Sequence, residues 1–259
     1  MRSEGLTRDE LKSFLDEKVE CYNQPSFIAD DPISVPHLFT RKEDIEIAGF
    51  LTATIAWGNR KSILKSALQM MQWMDHAPFE FVQHATAKDL LPLKQKCVHR
   101  TFNGEDFIQF VKSLRCVYLH HGGMEFLFTK GFETNAAYAI THFRNAFFQE
   151  KHMVHATKHV SDPGTGSAAK RIHMFLRWMV RNDQRGVDFG LWRGISPAQL
   201  SIPLDVNSGN IARQLGLLNR TQNDAKAVNE LDIQLRHLDP HDPVKYDFAL
   251  FGLGVNGAF

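Results

Sequence analysis

The sequence predicts an all-α protein, and three observations carry that prediction. Apolar residues recur at helical spacing along most of the chain. No stretch alternates apolar and polar residues as a half-buried strand does. Proline and glycine signals, among them Pro78, Pro92, Asn103-Gly104 and His121-Gly122-Gly123, divide the chain into pieces of helical length. With 43% hydrophobic and 23% charged residues in 259, the composition is that of a soluble globular protein, long enough for one large domain or two small ones sharing a core. Twenty Phe against four Tyr point to dry aromatic packing.

Thr7 and Glu10 stand in capping-box spacing, and Leu11, Phe14, Leu15 and Val19 follow at helical period, so residues 7–22 read as an amphipathic helix. Residues 23–40 hold Pro25, Pro32 and Pro36 and read as a crossing loop too apolar to stay solvated. Residues 42–57 are apolar almost all round, which predicts a buried helix. Gly58-Asn59-Arg60 breaks that pattern before a second helix carried by Ile63, Leu64, Ala67, Leu68, Met71 and Met74. Trp57, Asn59 and Arg60 would stack a base and grip a phosphate, or else form an ordinary capped helix junction. Short helices follow over 78–150. His99-Arg100 and His120-His121 read as solvated surface, and His152, His155 and His159 have no carboxylate among them to complete a metal site.

The stretch from Ser161 to Gly216 carries the chemistry. The Pro163-Gly164-Thr165-Gly166 turn opens a helix with Lys170 in its first turn, and Asp205 stands where a further helix begins, at an N-cap position. On a helical wheel Arg177 and Arg181 fall within about 20° of Lys170, opposite Ile172, Phe175, Leu176 and Met179, which predicts a cationic stripe on the outer face. Between Ser161 and Arg220 there are eight Lys or Arg and four Asp or Glu, a local excess suited to a polyanion. The amides of the glycine turn and of Ser167 at the helix start add a backbone phosphate site. A carboxylate such as Asp205 stabilises positive charge on a sugar losing its base, or simply caps its helix. A lysine among cations sheds its proton more readily and becomes an amine nucleophile, with Arg171, Arg177 and Arg181 placed to act in that direction.

The formal charge of +1 confines any nucleic-acid affinity to a local basic face. Cys21, Cys97 and Cys116 are far apart, without metal spacing, and read as reduced thiols of a cytosolic protein. No signal peptide or membrane-length apolar run is visible, so the expectation is a cytoplasmic chain with no membrane partner.

Residues 45–255 resemble the helix-hairpin-helix DNA glycosylases, on the strength of Pro163-Gly164-Thr165-Gly166, Lys170, Pro203-Leu204-Asp205 and Ile211-Ala212-Arg213-Gln214-Leu215-Gly216. In many members of that superfamily the lysine comes two residues after the second glycine, where this chain has Ala168. The later lysine and the longer stretch to Asp205 are more similar to the archaeal 8-oxoguanine glycosylase branch. MFLRWMVR, GVDFGLW, IPLD and KYDFALFGLG also look like a bacterial family of conserved hypothetical proteins, over nearly the whole chain.

The glycosylase resemblance implies a two-lobed all-α fold, with residues 45–194 as a helical barrel lobe ending in the hairpin and the Lys170 helix, and residues 1–44 plus 195–259 as the second lobe. It implies a base-excision glycosylase, with or without abasic-site lyase activity, acting as a monomer on a flipped damaged base, 8-oxoguanine-like, in double-stranded DNA. Lys170 and Asp205 would be catalytic, with the lysine ammonium in hydrogen-bonding or one-water reach of the carboxylate. Gly164, Gly166, Ser167, Arg171, Arg177, Arg181, Asn59 and Arg60 would bind DNA lying across the cleft between the lobes near Trp57. Trp57, Trp192 and Asn207 would line the base pocket. The cluster-binding cysteines of endonuclease III are absent, so no iron–sulfur cluster, other cofactor or metal is expected. A non-catalytic DNA-binding module of the same fold and a helical protein-interaction scaffold are the rival readings.

Overall fold

A computed structural model describes residues 6–257. The protein is all-α, with 65% of residues helical and 3% in strands. It forms two compact units, one running from Ile28 to Asp162 and the other made of the chain up to Phe27 together with Pro163 onward. The division therefore falls at 162/163, where the sequence reading drew it at 194/195, and the Lys170 helix belongs with the C-terminal segments. Among the described residues no helix is long and apolar enough to cross a membrane.

The chain opens with helix α1 (Arg8–Tyr22), started by the capping box read from the sequence. The Glu10 amide donates to Thr7 Oγ1 at 3.3 Å, and the Thr7 amide donates to Glu10 Oε2 at 2.8 Å, a cap worth ~1 kcal/mol. The proline-rich loop forms short 3-10 turns, including Pro32–Ser34 and Pro36–Leu38. Ile33 and Val35 are buried as expected, but Leu38 stands in solvent.

The Ile28–Asp162 unit is built around α2 (Lys42–Thr54), in which every residue from Ile45 to Thr54 is buried. Around it stand α3 (Arg60–Trp73), α4 (Pro78–His84), the single turn α5 (Ala87–Leu90), α6 (Gly104–His120), α7 (Met124–Phe132) and α8 (Ala136–Phe147). The phenylalanine-rich composition appears here as a ring cluster: Phe50 stacks on Phe110 with centroids 5.8 Å apart, and Phe128 on Phe143 at 4.4 Å. Glu46 is the charged residue inside α2, and it accepts a 2.6 Å hydrogen bond from the Tyr118 hydroxyl. Burial, with Glu46 beside it, pushes that phenol well above its ordinary range. A small antiparallel hairpin, β1 (Cys97–His99) with β2 (Phe102–Asn103), was not foreseen; strands this short show no alternation to read.

The second unit packs α1 with α9 (Lys170–Val180), α10 (Val206–Gln214), α11 (Ala225–Leu238) and α12 (Tyr246–Val255). Its core joins Leu11, Leu15 and Val19 of α1 to Leu231 and Leu235 of α11 and to Leu250 and Leu253 of α12. Burial pushes the Asp232 carboxyl of α11 up to about 6, against the Ser201 hydroxyl, the Ile202 amide at 2.9 Å and Arg236.

Two predictions follow from this packing. At Gly131 of α7 an added Cβ would land on the Ala139 backbone of α8. Gly131→Ala is expected to cost about 1–3 kcal/mol in urea unfolding, despite the better helix propensity of alanine. The folded state holds the Asp232 proton up to pH about 6, whereas the unfolded chain releases it near pH 4, so this group's contribution to stability declines as pH rises between those values. The stability difference between Asp232→Asn and wild type should therefore move in favour of the variant from pH 4.5 to pH 7, measured by urea unfolding at both.

Candidate active site around Lys170 and Asp205

The approach to α9 sets where its first residue falls. Pro163–Thr165 makes one 3-10 turn, and Gly166 follows at φ +93, a value that favours glycine. Its amide donates to Pro163 O at 2.9 Å, and its carbonyl accepts from the Ala225 amide at 3.0 Å at the start of α11. Ser167 forms an isolated bridge with Asp224, and its hydroxyl accepts from the Ala169 amide at 3.1 Å. Ala169 is left-handed at φ 45, and α9 begins with Lys170 itself. Ser167 and Ala168 thus link the glycine turn to the left-handed Ala169, and the helix starts at the lysine. The segment before the turn, Val154–His159, is a 3-10 turn, so the hairpin has an α-helix on its C-terminal side only.

Lys170 Nζ lies 3.8 Å from Asp205 Oδ2, with the two side chains 28% and 24% exposed. Nζ also lies 3.6 Å from Met174 Sδ. The Asp205 oxygens divide their work. Oδ1 caps α10, accepting from the Ser208 amide at 3.0 Å and the Ser208 hydroxyl at 3.2 Å, which leaves Oδ2 toward the ammonium. The Asp205 carbonyl accepts from Asn223 Nδ2 at 2.8 Å, and Asn223 Oδ1 accepts in turn from Arg213 at 2.5 Å. A Cβ at Gly209 would stand 2.8 Å from Asn223 Oδ1, so this helix-interior glycine makes room for the support. Ser208, Gly209 and Asn223 were not singled out from the sequence, and Arg213 entered only within the Ile211–Gly216 motif, without a role. A glycine inside α10 is the one signal that could have marked them.

The cationic stripe does not exist as a surface. Arg177 is 4% exposed and Arg181 2%. Arg177 Nε pairs with Asp188 Oδ1 at 3.2 Å, and its NH1 pairs with Asp247. Arg181 reaches Asp188 at 3.2 Å, Asp183 at 2.9 Å and Asp242 at 2.9 Å. Both guanidiniums also lie over the Phe248 ring, at 4.3 and 5.4 Å. A helical wheel tells which residues share a face, not what covers it, and here the Lys170 face is covered from its second turn onward. Neither arginine is available to phosphates, and with its charge compensated neither supplies an uncompensated positive field at Lys170. Burial alone would pull Arg181 down, but Asp188, Asp242 and Asp183 hold it above its ordinary range. Burial pushes the Asp247 carboxyl up to about 6, opposed by Arg177 and Lys170 and reinforced by the charge of Asp205.

Trp192 also belongs to the core. It is 1% exposed and packs edge-on against Phe175 with centroids 5.4 Å apart, so it offers no face to a base. Asn207 is exposed in the first turn of α10, and Gly164 and Gly166 are exposed in the turn. Arg171 is half-buried, and burial pulls its guanidinium down to about 10.

Trp57, Asn59 and Arg60 lie in the other unit. Trp57 is half-buried, edge-on to His99 at 5.1 Å and stacked over His159 at 6.0 Å, and its carbonyl accepts from His99 Nε2 at 2.9 Å. Asn59 Oδ1 caps α3 by accepting from the Ser62 amide at 3.2 Å, as the plainer reading of this junction had it, and the half-buried Arg60 is the first residue of that helix. His99 is buried rather than solvated. Asp106, from α6, brings His155 to 3.0 Å and His159 to 3.3 Å, the carboxylate that their own segment lacks. Burial alone would raise the Asp106 carboxyl; His159, the Asn103 amide and the charge of His155 hold it below its ordinary range. Among the described residues no group of three His, Cys, Asp or Glu is placed to hold a metal ion.

A family profile described as "Protein of unknown function (DUF2400)" matches residues 31–256. The chain belongs to the DUF2400 family. That match spans both units of this DUF2400 protein and includes the whole Lys170–Asp205 site. No curated protein and no solved structure matches it.

The burial of the arginines gives a direct check. Arg181→Ala leaves the buried Asp188 and the half-buried Asp183 and Asp242 short of a partner and should cost about 3–5 kcal/mol in chemical unfolding, against at most ~0.5 kcal/mol for a residue on an exposed stripe.

Proposed function

We propose that this protein is a DNA base-excision glycosylase with abasic-site lyase activity, of a two-lobed helix-hairpin-helix type whose first hairpin helix is reduced to a 3-10 turn, acting on a flipped 8-oxoguanine-like base in double-stranded DNA. The observation that carries this reading is the pairing of a partly exposed Lys170 side chain with the second oxygen of the Asp205 helix cap, 3.8 Å apart, after an exposed glycine turn. In this mechanism the Lys170 amine attacks the sugar carbon that bears the base. Asp205 stabilises the positive charge that grows on the sugar as the base leaves. The resulting Schiff base would open the way to strand cleavage. Phosphate contacts fall to the turn at Gly164 and Gly166, to Ser167 and to Arg171, since Arg177 and Arg181 are committed inside the protein.

The same burial favours a second reading, a helical scaffold without a DNA role, because the basic stripe that argued against it is not on the surface. Salt separates the two. Phosphate binding weakens linearly in log affinity against log salt, and a scaffold shows no such slope.

Borohydride is expected to trap a covalent complex with duplexes carrying an abasic site or 8-oxoguanine. Lys170→Gln should abolish trapping and leave salt-dependent DNA binding largely intact, and Asp205→Asn should slow single-turnover base release by about 10²–10³-fold. DNA binding without trapping on either duplex would leave the non-catalytic module, and no DNA binding would leave the scaffold.

A further inference from the structure

The β1–β2 hairpin gathers three stretches of chain that share a composition. Residues 55–66, 94–104 and 151–161 hold eight Lys or Arg and no Asp or Glu, so all 29 acidic residues lie outside them. The stretches are distant in sequence, and named contacts bring them together. The Ser66 hydroxyl of α3 donates to Val98 O at 2.7 Å and lies 3.3 Å from His99 Nδ1. His99 Nε2 donates to the Trp57 carbonyl, and the Trp57 ring stacks on His159. Phe102 meets the same His159 ring edge-on, with centroids 4.9 Å apart. At the hairpin turn Arg100 is left-handed at φ 51, and its guanidinium lies against Gly58, where a Cβ would stand 2.6 Å from the guanidinium carbon. Lys65, Lys96, Arg100 and Lys158 each make one of these contacts or stand within two residues of one, and all four are exposed. Among the described residues none of the four is paired with a carboxylate, whereas Lys94 is held by Glu105 at 3.5 Å. Asp106, the carboxylate that these contacts reach, is buried and met by His155 and His159.

We propose that the hairpin surface of the Ile28–Asp162 unit is a phosphate-backbone contact for double-stranded DNA, made by Lys65, Lys96, Arg100 and Lys158 and indifferent to base sequence. The choice of DNA as the polyanion rests on the function proposed above; the surface itself uses none of the residues given to that mechanism. A chain of net charge +1 that leaves unmatched cations on one surface builds a positive field there, and such a field draws a polyanion. This is the opposite of the arrangement on α9, where the arginines are enclosed and matched by carboxylates. The donors also suit phosphate oxygens. Arg100 offers a planar fork of N–H groups and the lysines offer mobile point charges. They come from three separate stretches rather than one pocket, which fits a partner whose charge repeats along its length. Contacts of this kind hold a duplex in register without reading its bases.

The test is fluorescence anisotropy of a short undamaged duplex with the full-length protein over a range of salt concentrations. Wild-type log affinity should fall linearly with log salt. Lys65→Ala, Lys96→Ala, Arg100→Ala and Lys158→Ala should each lower that slope by about 1 and weaken binding equally on duplexes of different sequence. Arg100→Lys, which keeps the charge, should keep the slope. Lys130→Ala, at an exposed lysine of the same unit outside the three stretches, should change neither slope nor affinity. The four side chains are exposed, so their variants keep the fold, which circular dichroism checks. Wild-type slopes in all four variants overturn the proposal. So does binding to vesicles of phosphatidylserine and phosphatidylcholine without binding to the duplex, and so does the absence of any duplex binding. The duplex carries no lesion, so the two readings can be separated. Slopes that drop as stated while borohydride traps nothing keep this surface and remove the catalytic reading, and trapping with four unchanged slopes does the reverse.

Discussion

Two arginines inside the protein fix the arrangement of everything around Lys170. Arg177 and Arg181 are almost fully enclosed, and a buried guanidinium is tolerated only when carboxylates meet it. The chain brings four: Asp183 and Asp188 from the loop after α9, Asp242 and Asp247 from the entry to α12. Those contacts tie the two C-terminal segments to α9 at one level of the core, and Phe248 closes the space over both guanidiniums. Removing one member strands the others in a low-dielectric interior, so the set behaves as a unit.

That constraint also explains what could be read from the amino-acid sequence. Local signals were legible: the Thr7–Glu10 capping box, the largely apolar α2, the Asn59 cap and Asp205 as the start of α10 all lie within a few residues of the groups they serve. The Lys170–Asp205 approach was legible through family resemblance rather than periodicity. The fate of Arg177 and Arg181 was not, because two of their four partners lie beyond α11 and nothing in a wheel tells buried from exposed charge. Trp192 failed for the same reason: an aromatic near a charged stretch reads as a platform until its Phe175 neighbour is known. The His155–Asp106–His159 group was missed because its carboxylate comes from a different helix.

Asp205 shows how one side chain caps a helix and meets a lysine at once. The cap consumes one oxygen, and Ser208, Asn223 and Arg213 hold the surrounding backbone. A carboxylate locked this way cannot rotate away from the amine without giving up the start of α10. Under the proposed mechanism, pre-organisation of this kind is what electrostatic stabilisation of a developing cation requires.

The left-handed residue at Ala169 has a consequence for how the lysine is located. From Lys170 to Val180 the chain is one helix whose angular phase is set by the buried Arg177 within it and Arg181 at its end, while residues 163–169 are turn and link. The lysine is therefore indexed to the interior, seven and eleven residues ahead, and not to the glycines behind it. A residue gained or lost in the turn changes the slack of a tether and leaves the amine at the same clock position. Counting from the glycines compares the lengths of tethers; counting back from the arginines finds the amine.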